Sequence, residues 1–293
     1  MMKISLSVLI ASTLILAAIP AKADVLTLGT LTNYALVDLG TGDTISINSG
    51  PISGNVLLGG GVKAAFSGGN NGQITGTLYY DSTVTGTNTF GQLQNAPTTS
   101  QVSTSVTSQA FSYAQAASNY AAGLTATQTY TNISSATTFT GTGGLNVIDV
   151  NNIQNAPITI SGSASDTFVI NISGTFNTNQ KMTLSGVSAS QIIFNFTGTS
   201  GNVFQTSGGN QLYGTFLAAD GGNFQFSELN LTGALYNSQG GMQFVSGSKI
   251  PTFAAFTGGT SDQAAVPEPS SLAVMSVALA GLGLFMRRRA RQC

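Results

Sequence analysis

The sequence predicts a mainly β chain built as a β-solenoid, with one long α-helix lying along its flank. Three observations point there. Only 6% of the 293 residues are charged, while Ser, Thr and Asn fill 92 positions and Gly 36, so hydroxyls and amides hydrate the surface in place of ions. A five-residue pattern, apolar-x-Gly-x-apolar, returns at nearly constant spacing, as stacked coils require. A single stretch from Gln101 to Leu124 abandons the two-residue period of a strand for the period of a helix. The apolar content of 42% can build a core and argues against simple disorder.

From the N-terminus, residues 1–23 carry Lys3, an apolar run from Ile4 to Pro20, and Ala21-Lys22-Ala23. That is the layout of a secretory signal peptide cleaved between Ala23 and Asp24, and the short run disfavours a buried N-terminal helix. The solenoid domain is expected over residues 24–253. Its motif reads Ile52-Ser-Gly54-Asn-Val56, Ile74-Thr-Gly76-Thr-Leu78, Leu212-Tyr-Gly214-Thr-Phe216 and Leu231-Thr-Gly233-Ala-Leu235. The later pair is followed by Gly221-Gly222-Asn-Phe224-Gln-Phe226 and Gly240-Gly241-Met242-Gln-Phe244. A β-sandwich with evenly spaced hairpins competes with this reading, but the in-register repeat favours coils, each stacked on the next.

Two Thr-x-Thr rows flank the helical stretch: Thr83, Thr85, Thr87 and Thr89 before it, and Thr125, Thr127, Thr129 and Thr131 after it. Alternate residues of a strand share a face, so each row presents a file of hydroxyls. Between them, Val102, Val106, Ala110, Tyr113, Ala117, Tyr120 and Leu124 mark one face of an amphipathic helix at about residues 101–124. Thr98 to Ser100 offer N-cap oxygens and Gly123 a C-terminal stop. The outer face has no charge, which suits a helix covering the solenoid better than a coiled-coil partner. Strand candidates follow at Ile158–Ile160, Thr167–Ile172, Met182–Leu184, Gln191–Phe196 and Val203–Phe204. Phe168, Ile170, Ile193, Phe204, Phe216 and Leu235 are the expected core, and the 16 Phe suggest stacked aromatic ladders. Pro251 marks the exit, and residues 254–266 read as a flexible spacer.

The C-terminal segment, residues 267–293, closes the chain. Val266-Pro267-Glu268-Pro269 leads into an apolar stretch from Leu272 to Met286 and then Arg287-Arg288-Arg289-Ala-Arg291. The stretch is marginal for a bilayer that needs about 20 apolar residues, and the arginines orient it cytoplasm-side. An ordinary tail anchor is the plain reading. The segment also resembles the PEP-CTERM sorting tail through Val266, Pro267, Glu268, Pro269, Arg287, Arg288 and Arg289. That resemblance implies an exported, membrane-anchored precursor that the membrane enzyme exosortase cleaves on its way to the surface of a Gram-negative bacterium.

The opening Leu28-to-Tyr34 segment, the Gly-punctuated coils, the helix, and the runs QIIFNF, LYGTFLA, FQF and LTGALYN together resemble the choice-of-anchor A surface domain. More distantly they are similar to bacterial ice-binding β-solenoids, which implies a right-handed coil stack with a flanking helix. The first family brings no activity with it; the second implies binding to ice, for which the two rows Thr83, Thr85, Thr87, Thr89 and Thr125, Thr127, Thr129, Thr131 are the candidate ladders.

Composition excludes much else. Six of the nine basic residues lie in the signal and the tail, leaving residues 24–266 with Lys63, Lys181 and Lys249 against nine carboxylates, so no basic patch for nucleic acid can be built. Without His there is no imidazole catalysis, and the single Cys, Cys293, cannot form a disulfide within the chain. Asp38, Asp43, Asp81, Asp149, Asp166, Asp220 and Glu228 sit in no catalytic motif and read as turn residues, as does the Asp149-Val-Asn151-Asn152 run that could offer oxygens to Ca²⁺. Asn132, Asn171, Asn195 and Asn230 head N-x-S/T triplets that a chain of this composition contains by chance. The sequence therefore predicts a non-enzymatic surface or matrix module without cofactor. It would bind neutral polysaccharide by shape and hydrogen bonds, with ice binding as the alternative and a polysaccharide-active enzyme a distant third. Its expected partners are the export machinery, exosortase, and either extracellular polysaccharide or ice.

Overall fold

The computed structural model describes residues 26–66, 72–245 and 247–258, so the expected signal peptide, most of the expected spacer, the sorting tail and Cys293 lie outside the described residues. Every strand pairing among the described residues is parallel, which excludes a sandwich of antiparallel hairpins. Each coil passes through three faces. One coil shows the plan: Thr167–Ile172 on the first face, Phe176–Thr178 on the second and Met182–Ser185 on the third.

On the first face, one inward column holds Leu78, Val56, Leu36, Leu235, Phe216, Phe194, Ile170 and Ile148 in unbroken register. All are fully buried. On the second face the column is Ile45, Met242, Phe224, Phe204, Phe176 and Ile153. The expected aromatic ladder forms where these columns meet: Phe216 stacks on Phe194 at 4.6 Å and on Phe204 at 4.5 Å between ring centroids, nearly parallel to each. Of the expected core, only Ile193 turns the other way, out of the coil interior and into the layer beneath the helix.

The order of the coils differs from the sequence expectation. Leu36–Asp38 pairs with Leu235–Asn237 on one side and with Val56–Leu58 on the other. The chain thus starts in the middle of the stack. It climbs through Thr77–Tyr80 to Thr98–Gln101 at one end. It restarts at Gln128–Ile133 at the opposite end and descends to the middle through Leu145–Gln154, Thr167–Ile172, Ile192–Phe196, Asn210–Ala218 and Leu229–Asn237.

The helix α1, Thr104–Ala122, is the return stroke between the two ends. Nine strand spacings on the first face come to about 43 Å. Nineteen helical residues span about 28 Å, and the extended residues on either side make up the rest. Its hydrogen-bond partners advance coil by coil. The Thr107 hydroxyl donates to Asp81, Gln115 Nε2 to the Ala219 carbonyl (2.6 Å), and the carbonyls of Ser118 and Ala121 accept from Asn195 (3.2 Å) and Asn171 (2.9 Å). Ala110, Ala114, Ala117 and Ala121 form its buried stripe against Val37, Leu57, Val169, Ile193 and Leu217. Ser103 occupies the N-cap position; Thr98 to Ser100, expected there, are instead strand residues paired with Thr77–Tyr79.

Two glycine files make the corners. Gly233 lies directly on Gly214, where an added Cβ would sit 1.8 Å from the Gly214 carbonyl oxygen. At a second corner Gly40, Gly240 and Gly222 follow one another with equally little room, and this file crosses the junction where the N-terminal coils join the C-terminal ones. The sequence motif is therefore a corner at which backbone meets backbone.

Candidate binding surfaces

The second face presents a row of amides. Gln154, Asn177, Gln205, Gln225, Gln243 and Ser46 occupy one outward register through successive coils. Gln205 Nε2 donates to Gln225 Oε1 (2.9 Å), Gln225 Nε2 to Gln243 Oε1 (3.2 Å), and Asn202 Nδ2 also to Gln225 Oε1 (3.0 Å). Gln205, Gln225 and Gln243 hold one another in this way while keeping further donors and acceptors toward solvent. The result is an uncharged, regularly spaced row with little side-chain entropy left to lose on binding.

The third face carries a shorter hydroxyl file. Thr138, Thr159 and Thr183 are register partners in three successive coils, and Thr140, Ser161 and Ser185 form a second file beside them. Ile158, Ile160 and Phe139 between them point inward.

The threonine rows marked from the sequence lie elsewhere. Thr83 donates to Asp81 Oδ1 and accepts from the Gly61 amide. Thr85 bridges to Lys63 alone. Thr87 and Thr89 belong to a 3₁₀ turn, Thr87–Gln92, that follows Gly86 at φ +73°, with the Thr89 hydroxyl turned back to the Gly86 carbonyl. These four do not share a face. In the second set, Thr125 and Thr127 precede the strand and Thr127 donates to the Val147 carbonyl (2.8 Å), while Thr129 and Thr131 stand exposed on the last strand of the stack. That strand supplies one rung of the first face and no ladder.

The carboxylates serve the corners. Asp166 accepts from Ser163 (amide and hydroxyl), Asn146 Nδ2 and the Gly143 amide. The Ser163 hydroxyl leads in lowering its pKa to about 2, against an opposing push from burial. One coil on, Ser188 and Gln191 repeat the arrangement with an amide in place of the acid, so Ser163-Ala-Ser-Asp166 and Ser188-Ala-Ser-Gln191 are one structural repeat that the sequence reading missed. Burial pushes Asp81 up, yet the hydroxyls of Thr107 and Thr83 and the amides of Thr83 and Gly60 outweigh it and hold the carboxyl below its ordinary value. Asp38 is the exception. It is fully buried; Oδ1 accepts from the Gly40 amide (3.2 Å) and Oδ2 has no partner. Burial drives its pKa well above the carboxylate range, opposed by the Gly40 amide and reinforced by Asp43. Among the described residues no three metal-ligating side chains cluster. Asn171 and Asn195, both heading N-x-S/T triplets, are buried beneath the helix.

Residues 24–239 match the family model described as a putative ice-binding-like adhesive domain. The chain belongs to that family. Residues 265–289 match the PEP-CTERM protein-sorting motif, which implies export, processing by exosortase and display at the cell surface. No curated protein matches the chain. Among solved structures, the adhesive domain has the fold of an ice-binding protein from an Antarctic biological consortium (20% identity, 79% of this chain and 90% of that one, TM-score 0.55). It is also similar to the ice-binding protein of the ascomycete Antarctomyces psychrotrophicus (16%, 77% and 97%, 0.56) and to a domain of an ice-binding protein of Shewanella frigidimarina (14%, 78% and 96%, 0.54). At these identities the likeness concerns the fold, a mainly β parallel solenoid. No helix among the described residues is long and apolar enough to cross a membrane.

Proposed function

We propose that the exported domain is a cell-surface adhesive module that holds neutral, hydroxyl-rich polysaccharide through the amide row of its second face, in the outer layer of a Gram-negative cell. The observation that carries this reading is the mutually hydrogen-bonded series Gln205–Gln225–Gln243. A pre-ordered row of donors and acceptors, repeating at the strand spacing of about 4.8 Å, binds an extended polymer of hydroxyls without first paying for its own ordering.

Ice is the second reading, favoured by the file Thr138–Thr159–Thr183 and by the ice-binding proteins that share the fold. One pair of assays separates the two. Residues 24–266 are tested for retention on insoluble neutral glucans and for inhibition of ice recrystallisation at micromolar concentration. Retention without inhibition supports the adhesive reading. Inhibition without retention replaces it with ice binding, and Thr159→Ala with Thr183→Ala then abolishes the effect. An inert protein in both assays refutes both readings.

A further inference from the structure

The third face is split. Thr137–Thr140, Ile158–Ser161 and Met182–Ser185 form their own three-stranded sheet, and the next strand, Asn210–Ala218, belongs to the large sheet, although the two strands come from successive coils. A groove opens between them, lined among others by Lys181, Asn210, Tyr213, Glu228, Asn230 and Lys249. Two features set it apart. Lys181 and Lys249 are two of the three basic residues that residues 24–266 possess. In addition, Asn210 Oδ1 and Asn230 Oδ1 are buried acceptors with no hydrogen-bond partner. Asn210 is 1% exposed and shares the inward side of its strand with Leu212, so its oxygen faces the coil interior, whereas Asn230 alternates with the buried Leu229 and Leu231 and faces outward. Asn230 stands in register between Gln211 and Lys249, which puts an acceptor and an ammonium side by side.

An acceptor left unpaired on the groove side, as in Asn230, calls for a donor. Two ammonium groups across the same groove call for an anion, and Glu228 leaves them one positive charge in excess. A sugar hydroxyl supplies the donor, a uronate carboxylate supplies the anion, and Tyr213, half-buried, offers a ring face for a pyranose. The domain as a whole is acidic, which works against a long polyanion. We propose that this groove binds an acidic sugar carried by an otherwise neutral polysaccharide, its carboxylate between Lys181 and Lys249 and a hydroxyl donating to Asn230. The proposal concerns a different face from the amide row and stands without it.

Isothermal titration of residues 24–266, which include the whole described coil stack, with xylotetraose bearing one glucuronic acid and with plain xylotetraose tests this. The acidic oligosaccharide is expected to bind at least tenfold tighter, with the difference shrinking in 0.5 M salt. Lys181→Gln and Lys249→Gln are each expected to lose most of that preference without a change in melting temperature. Equal affinity for the two oligosaccharides, binding of neither, or a preference that survives both lysine substitutions overturns the proposal. Because retention on neutral glucan is measured separately, failure here does not decide the amide row, nor the reverse.

Discussion

The three coils that start at Leu36 and the coils that descend to Leu235 share one stack but are built differently. The descending half is aromatic: Phe176, Phe194, Phe196, Phe204, Phe216, Phe224, Phe226 and Phe244 touch one another in a continuous series. Its last strands are long, with Asn210–Ala218 and Leu229–Asn237 paired over nine consecutive residues. The ascending half is aliphatic on Leu36, Val56, Leu78 and Ile45, and its strands are two to four residues long. Close-packed rings and long ladders give the descending half both the burial and the hydrogen bonds of a stable unit. The ascending half depends on the junction, where Asp38 stacks on Asn237, and on α1, which ties both halves together. One half is a frame and the other is assembled on it.

The largest test of that difference is the removal of a ring. Phe216→Ala takes away a ring that packs against four others, three of them stacked, and is expected to cost about 4 kcal/mol of global stability in denaturant melts. Leu78→Ala, near the other end, is expected to cost about 2 kcal/mol and to raise amide exchange mainly in the ascending coils. Similar global losses at both sites would erase the distinction.

Corner substitution comes next. Gly233→Ala drives a methyl into the Gly214 carbonyl and is expected to cost about 3 kcal/mol. Gly42→Ala meets nothing within 4 Å and bears only its φ of +76°, about 1 kcal/mol. The difference is read from two thermal melts.

Asp166 and Asp38 then give opposite pH signatures. Asp166 has a lowered pKa, so its contribution is complete above about pH 4 and disappears as the pH falls toward 2. Asp166→Asn is expected to cost about 2 kcal/mol at pH 7 and to flatten the melting profile between pH 4 and 2. Asp38 has a raised pKa: its neutral form suits the fold, and stability is lost as the pH rises above about 4, where the unfolded chain ionises. Asp38→Asn, which copies the Asn237 beneath it, is expected to raise the midpoint by about 2–4 °C at pH 8 and to change little at pH 4. A fall at pH 8 would show the junction carboxylate to be stabilising.

Much of this architecture was legible in the residues. The Gly motif announced the corners because a corner of stacked backbone admits no Cβ, and the seven apolar positions from Val102 to Leu124 announced the helix because nothing else has that period. Coil order was not legible. Spacing within each half is regular, but nothing local to Leu36 says that Leu235, some 200 residues away, lies beside it. The threonine row Thr83–Thr89 has the period of a strand, yet Gly86 and the pull of Asp81 curl it into a turn. The amide row escaped for a different reason. Its members are separated by 23, 28, 20 and 18 residues from Gln154 to Gln243, since corner loops vary in length while the faces stay in register. No fixed period reveals it, and only the fold brings it together.

The most direct test of the adhesive reading is retention on insoluble neutral glucan of residues 24–266 carrying Gln225→Glu, beside the unaltered domain and a Thr159→Ala control. Gln225 accepts from Gln205 and donates to Gln243, so a carboxylate there keeps the first bond, loses the second and places a charge at the centre of the row while leaving the core untouched. The account predicts at least a tenfold fall in retention with an unchanged melting temperature, and no effect of Thr159→Ala. Full retention by the Gln225→Glu protein would contradict it.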